Sequence, residues 1–281
     1  MTVFLNGQFV AEAQATVSVF DRSFLYGDGL FETMLVSNGK PFRWTQHMDR
    51  LERGAKFLGI QIPFARDALA KFAAELTARN QLADALLRLT LSRGIGVRGY
   101  SPKGADKPTL VMTMHPFAAS SSGSLPRWRA RTASAHLPAD EPLAQFKTCN
   151  KLAQILARSQ ADAAGADEAL LLNTDGFVVE GASSNLFWIE RGAVCTPPLA
   201  SGILAGVTRE VVRELYPKLK LSCREENIRP ADLSRADAVF LALSSHGIVE
   251  LTDIDGAKLG SSVHVPLLSQ AYWLQVRAEC G

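Results

Sequence analysis

Apolar and polar positions follow two periods along this chain, and the switches between them mark out its elements. In Val3-Phe4-Leu5-Asn6-Gly7-Gln8-Phe9-Val10, two short apolar runs flank an Asn-Gly pair that tolerates positive φ, which predicts a tight hairpin. The apolar and Thr-containing run from Leu30 to Asn38 ends at Gly39 and predicts a strand closed by a turn. From Thr45 the period lengthens. Met48, Leu51, Ala55 and Leu58 recur at spacings of three and four while Arg50, Arg53 and Lys56 take the other faces, so an amphipathic helix is predicted. Leu69, Phe72, Ala73 and Leu76 mark a second helix, and Ala85 to Leu91 and Thr109 to Met114 read as strands on either side of a Gly-rich loop.

The pattern breaks between Pro116 and Pro126, where Ala118-Ala119-Ser120-Ser121-Ser122-Gly123-Ser124 has the composition of a flexible connector. Placing the boundary there divides the chain into a small domain, 1–116, a connector, 117–125, and a larger domain, 126–281. In the larger one, Leu152, Ile155, Leu156, Ser159 and Ala163 outline a helix that stops near Gly165. Strands follow at Ala169 to Leu172, Phe177 to Glu180 and Asn185 to Ile189, with Asp175-Gly176 turning between the first two. Val207, Val211, Val212 and Leu215 predict another helix and Ala238 to Leu243 another buried strand.

Composition narrows the function classes. The chain has 281 residues, 47% of them apolar, enough for a sizeable core in one or two domains. Thirty basic against 28 acidic residues leave a net charge of +2, with no basic run suited to a phosphate backbone, so nucleic acid is not expected as a partner. No segment is long and apolar enough to span a bilayer, and the first residues lack the pattern of a signal peptide, which predicts a cytoplasmic protein without a membrane partner. Cys149, Cys195, Cys223 and Cys280 show neither zinc-ligand spacing nor a disulfide framework, so no metal is expected and the thiols are predicted to be buried.

Three ionisable residues sit in ordered settings: Arg50 on the first amphipathic helix, Lys147 ahead of another, and Glu180 at a strand end. Taken singly, each has an ordinary explanation as a solvated surface group. Taken with their neighbours, they carry a family pattern. Its pieces are Asp21-Arg22, Tyr26-Gly27-Asp28-Gly29-Leu30-Phe31-Glu32-Thr33, His47-Met48-Asp49-Arg50-Leu51, Lys147-Thr148-Cys149-Asn150-Lys151-Leu152, Glu180-Gly181-Ala182-Ser183-Ser184-Asn185-Leu186-Phe187, and Gly202-Ile203-Leu204-Ala205-Gly206-Val207-Thr208-Arg209. In this order the chain resembles the class IV, or fold-type IV, pyridoxal-phosphate enzymes: branched-chain and D-amino-acid aminotransferases and 4-amino-4-deoxychorismate lyases.

That resemblance implies a two-domain α/β fold, a small N-terminal domain and a larger pseudo-barrel domain with the cofactor in a cleft between them, and a homodimer. It implies that Lys147 holds pyridoxal 5'-phosphate through its amine and moves the proton in catalysis. Glu180 matches the partner of the pyridine nitrogen, where a carboxylate keeps that nitrogen protonated and the ring an electron sink. Arg50 matches the phosphate-binding arginine, able to offer a forked pair of N–H donors. Val207 and Thr208 would add amides and a hydroxyl at a helix N-terminus, Ser244 a further hydroxyl, and Leu204 apolar packing against the ring.

Within the family, Leu91-Ser92-Arg93-Gly94-Ile95-Gly96-Val97-Arg98-Gly99-Tyr100-Ser101 closely resembles the corresponding loop of bacterial aminodeoxychorismate lyases. Arg93, Arg98 and Tyr100 are therefore expected to bind a dicarboxylate substrate, with Thr33 as a further substrate-side residue. Branched-chain aminotransferases usually have Gly-Gly-Asn-Tyr after the lysine; this chain has Thr148-Cys149-Asn150-Lys151, which is nearer the lyases. Glu32-Thr33 is nearer the aminotransferases. The resemblance thus implies a lyase that forms 4-aminobenzoate and pyruvate for folate biosynthesis. A transaminase of branched-chain or D-amino acids is the alternative, and a non-catalytic binder of a phosphorylated ligand a third, which has no use for both Lys147 and Glu180.

Overall fold

The N-terminal hairpin is the first element of a computed structural model that describes residues 1–117 and 125–281. The centre of the expected connector, residues 118–124, lies outside the described residues. The chain divides into two compact units. The first comprises Met1–Ala119, Phe146–Asn150 and Val276–Gly281, and the second Ser120–Gln145 and Lys151–Gln275.

In the first unit, β1 (Thr2–Leu5) and β2 (Gln8–Ala11) form the hairpin, with Asn6 and Gly7 both at positive φ in its turn. Then come α1 (Arg22–Tyr26), β3 (Gly29–Ser37), β4 (Lys40–Pro41), α2 (Trp44–Leu58), α3 (Arg66–Asn80), β5 (Ala85–Ser92) and β6 (Thr109–Pro116). The six strands make one antiparallel sheet in the order β2-β1-β6-β5-β3-β4. Strand side chains alternate between faces, and the core takes one of them. Leu30, Met34 and Val36 of β3, Leu87, Leu89 and Leu91 of β5, and Leu110, Met112 and Met114 of β6 pack with Met48, Leu51 and Ala55 of α2 and Leu69, Ala73 and Leu76 of α3. Each large side chain among them, fully buried, contributes roughly 1.5–3 kcal/mol. The opposite face carries Phe31, Thr33, Arg88, Thr90 and Thr113.

The second unit contains β7 (Arg127–Leu137), α4 (Leu152–Ala163), β8 (Glu168–Asn173), β9 (Val178–Gly181), β10 (Asn185–Glu190), β11 (Ala193–Thr196), α5 (Val207–Lys218), β12 (Ser222–Glu225), α6 (Pro230–Leu233), β13 (Ala238–Leu243), β14 (Gly247–Ile254) and β15 (Ala257–Lys258), and most of α7 (His264–Cys280). Its sheet runs β12-β11-β10-β13-β14-β7-β8-β9, and β9 pairs again with β10 through Glu180 and Asn185. That pairing closes β10, β13, β14, β7, β8 and β9 into a six-stranded barrel. Strands β10 and β13 are buried along almost their whole length, as strands covered on both faces are. No helix among the described residues is long and apolar enough to cross a membrane.

Several expectations change. The segment Phe146–Asn150, which the boundary at residues 117–125 puts in the larger domain, belongs to the first unit because it lies along β3. Phe31 N donates to Lys147 O at 2.9 Å, Cys149 N donates to Gly29 O at 2.9 Å, and Leu30 bridges Thr148. The predicted apolar stripe of α4 is not its buried face. Leu152, Ile155 and Leu156 are 68%, 61% and 52% exposed, and the helix packs on β7 and β8 through Ala157 and Ala161, whose small side chains allow close approach. Of the four thiols, all free, Cys195 and Cys280 are buried but Cys149 and Cys223 only half-buried.

Candidate functional site

Glu32 interrupts the apolar row that β3 turns towards α2. On that helix His47 and Arg50 stand one turn apart beside the stripe of Met48 and Leu51, so both reach the same carboxylate. Arg50 Nε donates to Glu32 Oε1 at 2.8 Å and Nη2 to Oε2 at 2.5 Å, and His47 Nδ1 meets Oε2 at 2.7 Å. All three residues are buried. Burial alone would raise the Glu32 pKa, but the charge and hydrogen bonds of Arg50 and the bond from His47 outweigh it and hold the pKa at about 2. His47 is shifted below its ordinary 6.5 chiefly by burial; the hydrogen bond and charge of Glu32 oppose the shift, and the smaller effects of the Arg50 and Lys147 charges add to it. Arg50, expected from its helix position to be on an outer face, is therefore an oriented internal guanidinium.

Lys147 is half-buried, and its Nζ lies 4.8 Å from the centre of the Phe31 ring. The Arg88 guanidinium contacts the same ring at 3.9 Å, and Arg88 faces Thr33 in the β3–β5 register. Burial lowers the Arg88 pKa, and no carboxylate pairs with it among the described residues. Sequence reading passed over Arg88 because an arginine between Leu87 and Leu89 looks like an ordinary outward strand position. Thr33, predicted on the substrate side, lies on this outward face.

The loop after β5 differs from expectation at Arg93. This residue is buried and its donors are committed: Nε and Nη2 to Asp28 at 2.8 and 3.1 Å, Nη1 to Gly59 O at 3.1 Å, and Nη2 also to Leu58 O at 2.8 Å. Arg22 joins the same carboxylate at 2.7 Å and donates to the carbonyls of Gly99, Tyr100 and Ser101. Burial would raise the Asp28 pKa, but the two guanidiniums bring it below the ordinary range. Arg93 thus ties the loop down, which removes it from the substrate-gripping set, while Arg98 and Tyr100 remain exposed.

In the second unit, Glu180, the next-to-last residue of β9, pairs with Asn185 at the start of β10, and both hold Leu204. Leu204 N donates to Glu180 Oε2 at 3.0 Å, and Asn185 Nδ2 donates to Leu204 O at 2.9 Å. Two residues on, a Cβ at Gly206 would overlap Asn185 Oδ1, so glycine is required where the chain turns into α5. No side chain caps that helix, and its first residues, Val207 and Thr208, are buried. An uncapped start of a 12-residue helix offers amide donors and positive dipole to an anion. Ser244 follows β13, two residues past Ala242, which pairs with Asn185.

The cofactor candidates therefore fall into two groups, Arg50 and Lys147 in the first unit and Glu180, Leu204, Val207, Thr208 and Ser244 in the second. Each group by itself offers donors of the kinds a phosphorylated aldehyde with a basic ring nitrogen would take: an oriented guanidinium and an amine in the first, and uncapped amides, a hydroxyl and a carboxylate in the second. Glu190, Cys195 and Glu226 also bring potential metal ligands within 4.8 Å of one another. Arg224 Nη2 is already there, 3.0 Å from Glu190, 3.6 Å from Glu226 and 3.5 Å from Cys195 Sγ.

Known proteins are similar to this chain over most of its length. The family model described as amino-transferase class IV matches residues 29–254. A putative branched-chain-amino-acid aminotransferase of Methanocaldococcus jannaschii is 39% identical over 260 residues, covering 91% of this chain and 88% of that protein. An aminodeoxychorismate lyase of Bacillus subtilis is 30% identical over 262 residues, 92% of this chain and 88% of that one. Among solved structures, the branched-chain aminotransferase of the thermophilic archaeon Thermoproteus uzoniensis with norvaline has a TM-score of 0.90 at 31% identity, covering 97% of this chain and 93% of its own.

Proposed function

Because the chain belongs to the class IV aminotransferase family of pyridoxal-phosphate enzymes, we propose that it is a lyase converting 4-amino-4-deoxychorismate to 4-aminobenzoate and pyruvate. The observation that carries this choice is the face that Lys147 shares. Around Phe31 it presents Arg88, Thr33 and Thr90, a polar and cationic lining suited to a substrate with two carboxylates and a poor match for a branched aliphatic side chain. The exposed Arg98 and Tyr100 offer further donors.

Lys147 would hold the cofactor through its amine, and the same amine is placed to take the proton from the ring carbon that bears the substrate nitrogen. Bound pyridoxal 5'-phosphate supplies the sink for the electron pair that this proton leaves behind. Glu180 keeps the pyridine nitrogen protonated, with its own carboxylate oriented by Leu204 N. Arg50, oriented by Glu32, grips the phosphate together with Val207, Thr208 and Ser244, and Leu204 packs on the ring. The C–O bond to the enolpyruvyl group breaks, that group gains the proton Lys147 had taken and leaves as pyruvate, and the carbocycle left behind is aromatic, which makes the elimination downhill. The active species is proposed to be a homodimer; the support is a run of exposed apolar side chains in the first unit, Val17, Val19, Phe20, Phe24 and Leu25.

A second reading, a branched-chain or D-amino-acid aminotransferase, is favoured by the archaeal relative and by the commitment of Arg93 to Asp28. The test is to supply the cofactor-loaded protein with aminodeoxychorismate and no keto acid. Pyruvate and 4-aminobenzoate form in equal amounts, and Lys147→Ala abolishes both. Fast keto-acid-dependent turnover of amino acids with no pyruvate release would replace the lyase with the transaminase.

A further inference from the structure

Glu168 opens β8 with no exposed surface, and no cation pairs with it among the described residues. A carboxylate taken out of water needs donors in place of solvent. Four supply them. Ala169 N donates to Oε1 at 2.9 Å, and Ser183 N, Ser183 Oγ and Ser184 Oγ donate to Oε2 at 3.3, 2.8 and 3.1 Å. Three of the four come from one turn, residues 181–184, which joins β9 to β10.

That turn is fixed from every side. Gly181 N donates to Ser184 O at 2.7 Å, and Ala182 N to Ala169 O at 2.9 Å. Ser184 Oγ and the Glu168 side chain fill the space that a Cβ on Gly181 would need. Immediately outside the turn stand Glu180 and Asn185, the register pair through which β9 meets β10 and which grips Leu204 from both its N–H and its carbonyl. Asn185 in turn sets how closely Gly206, and with it the start of α5, can approach. The buried carboxylate is thus one hydrogen bond from the turn, and the turn one residue from the acid and amide that orient Leu204.

We propose that Glu168 is a positioning residue: its carboxylate holds the 181–184 turn so that Glu180 and the Leu204 peptide keep the orientation the cofactor ring requires. This rests on the reading of Glu180 as the partner of the pyridine nitrogen. A carboxylate serves better than an amide here because both oxygens accept; glutamine would set an NH2 group against either Ala169 N or the serine donors.

The test compares Glu168→Ala, Glu168→Asp, Ser184→Ala and Glu180→Ala by two readouts: amide hydrogen exchange in the cofactor-free protein, and the pH titration of the visible absorbance of the loaded protein. In Glu168→Ala the Leu204 amide exchanges faster by about tenfold, the loss of one hydrogen bond, and the absorbance midpoint moves in the same direction as in Glu180→Ala. Glu168→Asp restores part of both. Ser184→Ala shows the same two changes to a smaller degree, and it carries the test if Glu168→Ala does not fold. A folded Glu168→Ala or Ser184→Ala protein that unfolds at lower temperature but keeps wild-type Leu204 exchange and absorbance overturns the proposal. An unchanged absorbance titration in Glu180→Ala instead overturns the reading of Glu180, and exchange at Leu204 then decides alone whether Glu168 holds the turn.

Discussion

Removing the charge of Glu32 tests whether the internal ion pair is as tight as its geometry. In Glu32→Gln the side chain keeps its volume, but Arg50 loses the carboxylate that meets its Nε and Nη2, and His47 its acceptor oxygen. The pKa of Glu32 falls from an ordinary 4.5 to about 2 in the folded protein. At about 1.36 kcal/mol per pH unit this corresponds to roughly 3 kcal/mol of stability at neutral pH. Breaking a buried pair by removing one partner costs about 3–5 kcal/mol, the same order. Because the folded pKa is depressed, the contribution is fully present above pH 4.5 and is lost as pH falls through about 2. Urea unfolding between about pH 2 and 7 should give a Glu32→Gln protein about 3 kcal/mol less stable at neutrality and a shallower loss of stability over the acid window. A variant within about 1 kcal/mol of wild type, with an unchanged acid slope, would refute the reasoning, since surface pairs are worth no more than that.

Other consequences follow from single contacts. Arg88→Leu removes a cation beside Phe31 and Lys147; steady-state kinetics should show KM for a dicarboxylate substrate rising about tenfold or more, the loss of one charge-assisted hydrogen bond, with the fold unchanged by circular dichroism. Asp28→Asn frees Arg22 and Arg93 together, so limited trypsin digestion should cut after Arg98 faster than in wild type. Gly206→Ala places a methyl group onto Asn185 Oδ1, and equilibrium dialysis of pyridoxal 5'-phosphate should show weaker binding even where the variant remains folded.

Periodicity carried most of the fold. The sheet of the first unit was legible because β5 and β6 alternate strictly between a core face and an outer face, and α2 and α3 repeat at helical spacing. Strand β7 was missed: Arg127-Trp128-Arg129-Ala130-Arg131 alternates charge with small or aromatic residues and carries no apolar run, yet it pairs in parallel with both β14 and β8. The outward stripe of α4 misled for the opposite reason, since large apolar residues there are not the buried ones. At the candidate site the family pattern picked out Arg50, Lys147 and Glu180. The residues linked to Arg50 and Glu180 through hydrogen bonds and strand pairing, Glu32, His47, Asn185 and Glu168, are joined only by folding, with His47 and Glu168 each 15 residues from the partner they meet, Glu32 and Ser183. Arg93 shows the converse, an arginine in a matching motif whose hydrogen bonds go to the protein's own backbone and to Asp28.

Reaction choice has to be sought outside the groups that both chemistries share. A lyase and a transaminase need the same amine to hold and move a proton, the same acid opposite a ring nitrogen, and the same grip on a phosphate, so Lys147, Glu180 and Arg50 do not tell them apart. What can differ is the surface that meets the rest of the substrate. On the first unit's sheet the residues beside Lys147 come from alternating positions of β3 and β5, and the same alternation that fills the core with leucine leaves threonine and arginine outward. A pocket lined this way gains from carboxylates and loses by enclosing an aliphatic branch, because a guanidinium without an acceptor is costly to dehydrate. Converting Arg88 and Thr33 to apolar residues should therefore move preference away from dicarboxylates without touching the proton-transfer machinery, a result that would locate specificity in the outer face of one antiparallel sheet.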